Sequence, residues 1–203
     1  MHIEFLLEEE SCAAAMSELV PRIIGKQVSF RHHVFQGKPD LLKQLPSRLR
    51  GYSRWLPADY RIVVLLDCDN DRCQDLKAQL DDISAGAGLI SRRRPDQRGR
   101  FHVLNRIAIE ELESWFFGDV GALTQAYPGV PPTLARRRGY RDPDGIAGRT
   151  WEKLERVLQD AGYYGGGIPK IEVARNVAQY MDPERNRSRS FRVFCDGLKQ
   201  LLA

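Results

Sequence analysis

The chain has 203 residues, 42% of them hydrophobic and 29% charged, with a formal net charge of +4. That suits one ordinary soluble globular domain able to bury roughly 70% of its unfolded surface. No apolar run approaches the roughly 20 residues of a membrane span, and the mild positive charge permits an anionic partner without demanding one.

The N-terminus enters a strand at once, without the basic region and apolar core of a signal peptide, so the expected location is the cytoplasm. Cys12, Cys68, Cys73 and Cys195 show no C-x-x-C pairing. Free structural thiols in a reducing compartment are the expectation, with Cys68 set apart because it lies inside an acidic turn.

In chain order, His2 to Leu7 reads as a first strand, followed by Glu8, Glu9 and Glu10. Ser11 is the expected cap of a helix running to about Ile24, where Gly25 stops it. The glutamates suit the positive end of a helix dipole, and they also place carboxylates at a strand end. Gln27 to Gln36 alternates as a second strand. Its His32 and His33 read as structural or exposed rather than as ligands. Lys38 to Arg50 is partly helical, with Pro46 expected to break it. Arg48, Arg50 and Arg54 lie among Tyr52 and Trp55 and read as solvated surface.

Ile62-Val63-Val64-Leu65-Leu66 is the strongest signal in the chain, a strand buried on both faces as in parallel sheets. It ends in Asp67, Asp69 and Asp71. A helix follows from about Asp71 to Ser84, closed by Gly86 and Gly88, and then a basic loop from Ser91 to Arg100. Phe101 to Ile109 reads as another strand running into Glu110, Glu111 and Glu113. On a helix Glu110 and Glu113 would share one face while Leu112, Trp115 and Phe116 pack inward.

The remainder is helical and basic. Short helices are expected at Asp119 to Tyr127, from a Thr150 cap to about Ala161, at Lys170 to Tyr180 and at Ser190 to Leu201. The loop Pro128 to Gly148 carries Arg136, Arg137 and Arg138. Gly165-Gly166-Gly167 reads as a hinge; it lacks a preceding strand and the Gly-Lys-Ser/Thr ending of a phosphate loop.

Strands alternating with helices imply right-handed crossovers and parallel strands, so acids that follow three strands would meet at one sheet edge. Carboxylates crowded there resist ionising together, and a hard cation such as Mg²⁺ or Mn²⁺ would relieve the repulsion. A calcium loop is excluded, because Arg72 stands where Gly is required and Ala78 where Glu is required. An aspartyl-phosphate chemistry on Asp67 stays open as an alternative.

These residues carry a resemblance. A Glu after the first strand and an Asp-x-Asp after a later hydrophobic strand resemble the Toprim domain of topoisomerases, primases and related nucleases. More closely, the whole chain resembles a bacterial family with a Toprim-like fold, domain of unknown function 4276. That likeness rests on Leu7-Glu8, Leu66-Asp67-Cys68-Asp69, Ile109-Glu110-Glu111-Leu112-Glu113-Ser114-Trp115-Phe116 and Arg187-Ser188-Arg189-Ser190-Phe191-Arg192-Val193-Phe194. The chain departs from the Toprim pattern at Glu9, where Gly is common.

The resemblance implies an α/β domain over 1–203 with a Toprim-like (Rossmann-like), mostly parallel sheet flanked by helices. A helical C-terminal elaboration would pack on it from approximately residue 119. It implies Glu8, Asp67 and Asp69 as catalytic residues and metal ligands, with Glu110 or Glu113 completing a second metal position; Asp71 joins this metal set from the acidic turn itself. Arg92, Arg93, Arg94, Arg136, Arg137, Arg138 and Lys170 are the candidate phosphate contacts. The activity expected is Mg²⁺- or Mn²⁺-dependent phosphodiester chemistry on nucleic acid, against the alternative of a non-catalytic module binding nucleic acid or protein on the same fold.

Overall fold

The computed structural model describes residues 1–146 and 148–202. Four strands, β1 (His2–Leu7), β2 (Ser29–Val34), β3 (Tyr60–Asp67) and β4 (Val103–Ala108), form one sheet in the order β2-β1-β3-β4. All pairings are parallel, so the sheet is of the Rossmann-like α/β class and its carboxyl ends lie on one edge. Leu7 pairs with Leu65 and Asp67 with Ala108, which puts the acidic segments after β1, β3 and β4 level with one another.

The helices α1 (Glu10–Ile24), α2 (Lys38–Trp55) and α3 (Cys73–Gly86) make the first crossovers. One sheet face buries Phe5, Leu7, Val63, Leu65 and Leu104 with α1 and the C-terminal helices. The other buries Leu6, Ile62, Val64, Leu66 and Val103 against Leu41, Leu45 and Leu49 of α2 and Leu76 and Leu80 of α3. Both faces of β3 are therefore covered, as its unbroken apolar run requires.

Several expectations are corrected at this level. Pro46 does not break α2, which continues to Trp55. The Leu41, Leu45, Leu49 and Tyr52 stripe stays in register through the proline and buries on the sheet, which outweighs the one lost helical hydrogen bond. Ser11 lies inside α1 rather than capping it, and its hydroxyl donates to Glu9 Oε1 at 2.5 Å. The second strand is confined to Ser29–Val34 and α3 begins at Cys73, after the acidic turn. Cys68 and Cys73 are joined as a disulfide with Cα atoms 5.5 Å apart, against the expectation of four free thiols. The turn leading into α3 brings the two side chains together, a closeness that linear spacing does not display. Cys12 and Cys195 remain free and buried.

His33 is a structural partner, 2.5 Å from the buried carboxylate of Glu4. Neither it nor His32 lines the pocket that holds Asp67: His33 shares one with Glu4, near the start of β1, and His32 one with Glu10 and Val34.

Beyond β4 the described residues contain helices and short 3-10 turns only: α4 (Glu113–Gly118), α5 (Val120–Ala126), α6 (Thr150–Asp160), α7 (Lys170–Ala178) and α8 (Arg189–Leu201). The helix α7 packs on α1, and α8 packs on both α1 and β4. Two fastenings hold this half in place. Trp115 of α4 stacks within 5.1 Å of the Phe191 and Phe194 rings of α8, and its indole N–H donates to Ser190 Oγ at 2.8 Å. Asp119, 2% exposed, accepts from the backbone N–H of Ala122 and of Asp182 and takes two hydrogen bonds from Arg185 at 3.0 and 2.9 Å. No helix among the described residues is long and apolar enough to cross a membrane.

Removing the Asp119 carboxylate leaves the part-buried Asp182 N–H and the half-exposed Arg185 fork without their acceptor, while the Ala122 N–H keeps the Asp119 carbonyl at 3.0 Å. Asp119→Ala is expected to cost about 2–3 kcal/mol in urea unfolding followed by circular dichroism, the scale of a buried polar group losing its hydrogen bonds when its charged partner can still reach water. A loss below about 1 kcal/mol would show that this fastening does not hold the C-terminal half.

Candidate metal centre at the sheet edge

The chain leaves β1 at Leu7 and turns through Glu8. Its backbone is held there by the Phe35 N–H donating to Leu7 O at 3.0 Å and the Gly37 N–H to Glu8 O at 3.1 Å. The Glu8 carboxylate bends toward the neighbouring strand and accepts the Asp67 backbone N–H at 3.2 Å. Past the ends of β3 and β4 the ladder continues: Cys68 N–H donates to Ala108 O at 2.8 Å, and Asp69 N–H to Glu110 O at 2.7 Å. Asp69 and Glu110 sit opposite one another with φ of +49° and +61°, left-handed conformations that non-glycine residues seldom adopt.

These segments enclose a cleft of about 350 Å³ lined by seven carboxylates: Glu8, Glu9, Asp67, Asp69, Glu110, Glu111 and Glu113. Its facing wall comes from the C-terminal half and carries Arg149, Trp151 and Lys170. Glu111 builds that wall, its carboxylate accepting the Thr150 hydroxyl at 2.9 Å and the Trp151 N–H at 2.8 Å. It thereby satisfies backbone at the start of α6, where Thr150 is the first helical residue rather than the cap. Lys170 places its ammonium 4.6 Å from the centre of the Trp151 ring.

The electrostatics follow from crowding and burial. Asp67 is held well above the usual carboxylate range by loss of solvent, then by the charges of Glu113, Glu8, Glu9 and Asp69. Glu113, 4% exposed at the start of α4, is pushed up to about 7 mainly by burial, with Lys170 working the other way. Glu8 and Glu110 are raised too, burial again being the first cause. The cleft stores unfavourable negative charge that an entering cation would relieve.

Lys38 was not singled out by sequence and stands out in space. Its ammonium sits 2.7 Å from Asp69 Oδ2, 2.8 Å from Asp71 Oδ2 and 3.0 Å from Cys68 O. Burial works against its charge, yet the two carboxylates more than offset that and raise its affinity for the proton. Lys38 therefore clamps the acidic turn from outside the cleft, on the α2 side. The Cys68–Cys73 disulfide closes the same turn covalently.

The candidate residues thus divide. Glu8, Asp67, Asp69, Glu110 and Glu113 line the cleft, whereas Asp71 is committed to Lys38 and does not line it. Glu110 and Glu113 do not share a helix face, because α4 begins at Glu113 and Glu110 precedes it with positive φ. They meet through the turn instead. Lys170 lines the cleft, as do Arg149 and Trp151, which sequence reasoning passed over because Glu111 brings them there. Arg92 and Arg93 line a different groove, Arg94 a hollow beside it, and Arg136 and Arg138 lie in two 3-10 turns, with Arg137 between them, outside the cleft lining.

The donors are carboxylate oxygens, the type that suits a hard divalent cation. Among the described residues no three His, Cys, Asp or Glu side chains are gathered closely enough to cage a metal ion. The chain fits the group in donor chemistry and in unrelieved charge, and not as a preformed cage.

A family model described as "Domain of unknown function (DUF4276)" matches residues 7–199. No curated protein and no solved structure matches the chain.

Because Glu113 holds its proton more tightly folded than unfolded, it subtracts stability as pH rises from 4.5 through about 7. Glu113→Gln removes that penalty. In chelator, the variant is expected to exceed the parent by roughly 3 kcal/mol at pH 8 and by much less at pH 5, measured by denaturant titration. An equal difference at both pH values would show that Glu113 is not held protonated by its surroundings.

Proposed function

We propose that this chain, which belongs to the DUF4276 family, carries out Mg²⁺- or Mn²⁺-dependent phosphodiester chemistry on nucleic acid in this cleft. The observation that carries this reading is the meeting of carboxylates from three strand ends, with Glu113 buried beneath them, opposite Arg149 and Lys170 in one cleft. The likeness of these acids to the Toprim pattern points the same way.

Glu8, Asp67 and Glu113 would hold the cation, with Asp69 and Glu110 at the rim. When bound, the cation polarises a phosphoryl oxygen and lowers the pKa of water. Arg149 and Lys170 face the same space and are placed to bind phosphate oxygens, Arg149 by its planar fork and Lys170 as a point charge. Trp151 offers an apolar face beside them for a base or sugar. The Glu8 carboxylate, raised by burial, is the group suited to pass a proton to or from the reacting oxygen. Lys38 keeps Asp69 turned outward until a stronger cation competes for it. An aspartyl-phosphate on Asp67 is disfavoured, since the surrounding acids would repel the phosphate.

At pH 8, Mn²⁺ at about a hundred times its dissociation constant is expected to stabilise the protein by about 2.7 kcal/mol, a rise of several degrees in melting temperature. Asp67→Asn should abolish that rise and lower metal-dependent cleavage of a labelled oligonucleotide on the order of a hundredfold or more. Asp71→Asn, outside the cleft, should keep the melting shift. Undiminished cleavage in the Asp67→Asn protein would overturn the reading.

A further inference from the structure

A second concavity of about 580 Å³ runs along the free edge of β4, between α3 and α8. Its charge is opposite to that of the acidic cleft. Arg92 and Arg93 from the basic loop, Arg106 from β4 and Arg189 from the first turn of α8 all line it, together with Lys77. The acid in its lining, Asp81, is 4% exposed and already engaged by Lys77 and by the Asn105 amide at 2.9 Å. Among the described residues none of the four arginines takes part in an ion pair. Half-buried Ile107, Ile109 and Val193 supply an apolar wall.

Arg106 is the unusual member. It stands on the sheet face covered by α8, with its Nε buried and lacking any acceptor. The close approach is built in at Gly197, where an added Cβ would come within 2.8 Å of Leu104 Cδ1 and 3.4 Å of Arg106 Nε. A guanidinium carried this far from water among like charges costs stability unless an anion completes it. Burial, then Arg92, lowers its pKa to about 10, with Asp81 and Asp196 working the other way.

We infer that this groove is a binding site for a nucleoside phosphate, with Arg106, Arg92 and Arg189 on the phosphate and Ile107, Ile109 and Val193 against the base or sugar. The planar forks match phosphate oxygens bidentately. The volume falls in the range that encloses a small organic ligand rather than a lone ion. Ile109 belongs to the groove and Glu110, the next residue, to the acidic cleft, so the two sites share a ridge at the end of β4. The phosphate can therefore belong to a free nucleotide or to a strand whose neighbouring nucleotides reach the cleft. The inference does not depend on metal chemistry in the cleft.

Binding of adenosine monophosphate and of a fluorescent ten-nucleotide single strand is measured by calorimetry and anisotropy in EDTA, where the acidic cleft has no cation. The intact protein should bind at least one of them. Arg106→Gln and, separately, the pair Arg92→Gln with Arg189→Gln should each weaken binding about tenfold or more, while Arg54→Gln, an exposed arginine of α2 outside both concavities, leaves it unchanged. The surface pair keeps the test valid if Arg106→Gln misfolds. Loss on both probes identifies a nucleotide site, and loss on the oligonucleotide alone identifies a strand track. The inference is overturned if neither probe binds, if both arginine variants bind as the parent does, or if a polyglutamate peptide binds and the nucleotides do not.

Discussion

Parallel pairing of β1, β3 and β4 in matched register is the constraint from which the rest of this molecule follows. Parallel strands finish together, so whatever the sequence writes after each of them is delivered to one edge. Here it writes acids three times. The ladder does not stop at the strand ends but runs on through Cys68 and Asp69 to the carbonyls of Ala108 and Glu110. Backbone hydrogen bonds thus force carboxylates together that Coulomb repulsion would separate.

That repulsion is answered from several directions. Lys38 draws Asp69 and Asp71 outward, Glu111 spends its charge on the start of α6, and the Glu8 carboxylate accepts a backbone N–H. Of those left, Asp67 and the buried Glu113 are held furthest above the usual carboxylate range. The arrangement is a gradient, neutralised at the rim and unrelieved at the floor. A gradient of this kind guides a cation inward rather than trapping it at the entrance.

Much of the architecture was legible because it rests on short-range rules. The β1 limits follow from the alternation of a short apolar run, and β3 from five consecutive branched or leucine residues. The acidic ends of three strands were visible for the same reason. What was not legible depends on long-range packing. Lys38 meets Asp71 across 33 residues, and Arg149 and Trp151 reach the cleft only because Glu111 binds the start of α6. Pro46 was misleading because propensity is local while the leucine stripe of α2 draws its stability from the sheet. The helical reading of Glu110 failed because its backbone is claimed by Asp69 before the helix can begin.

The sheet is open, and an open sheet has two edges whose unused backbone groups invite another strand. On β2 that edge displays Arg31, and on β4, whose first residue already pairs with the Ile90 and Ser91 segment, it displays Arg106 with Arg92 and Arg93 close by. A second copy sliding its own edge alongside would have to bring like charges together and strip water from them. The arginines that make the β4 groove receptive to anions also discourage the chain from stacking edge to edge into fibrils.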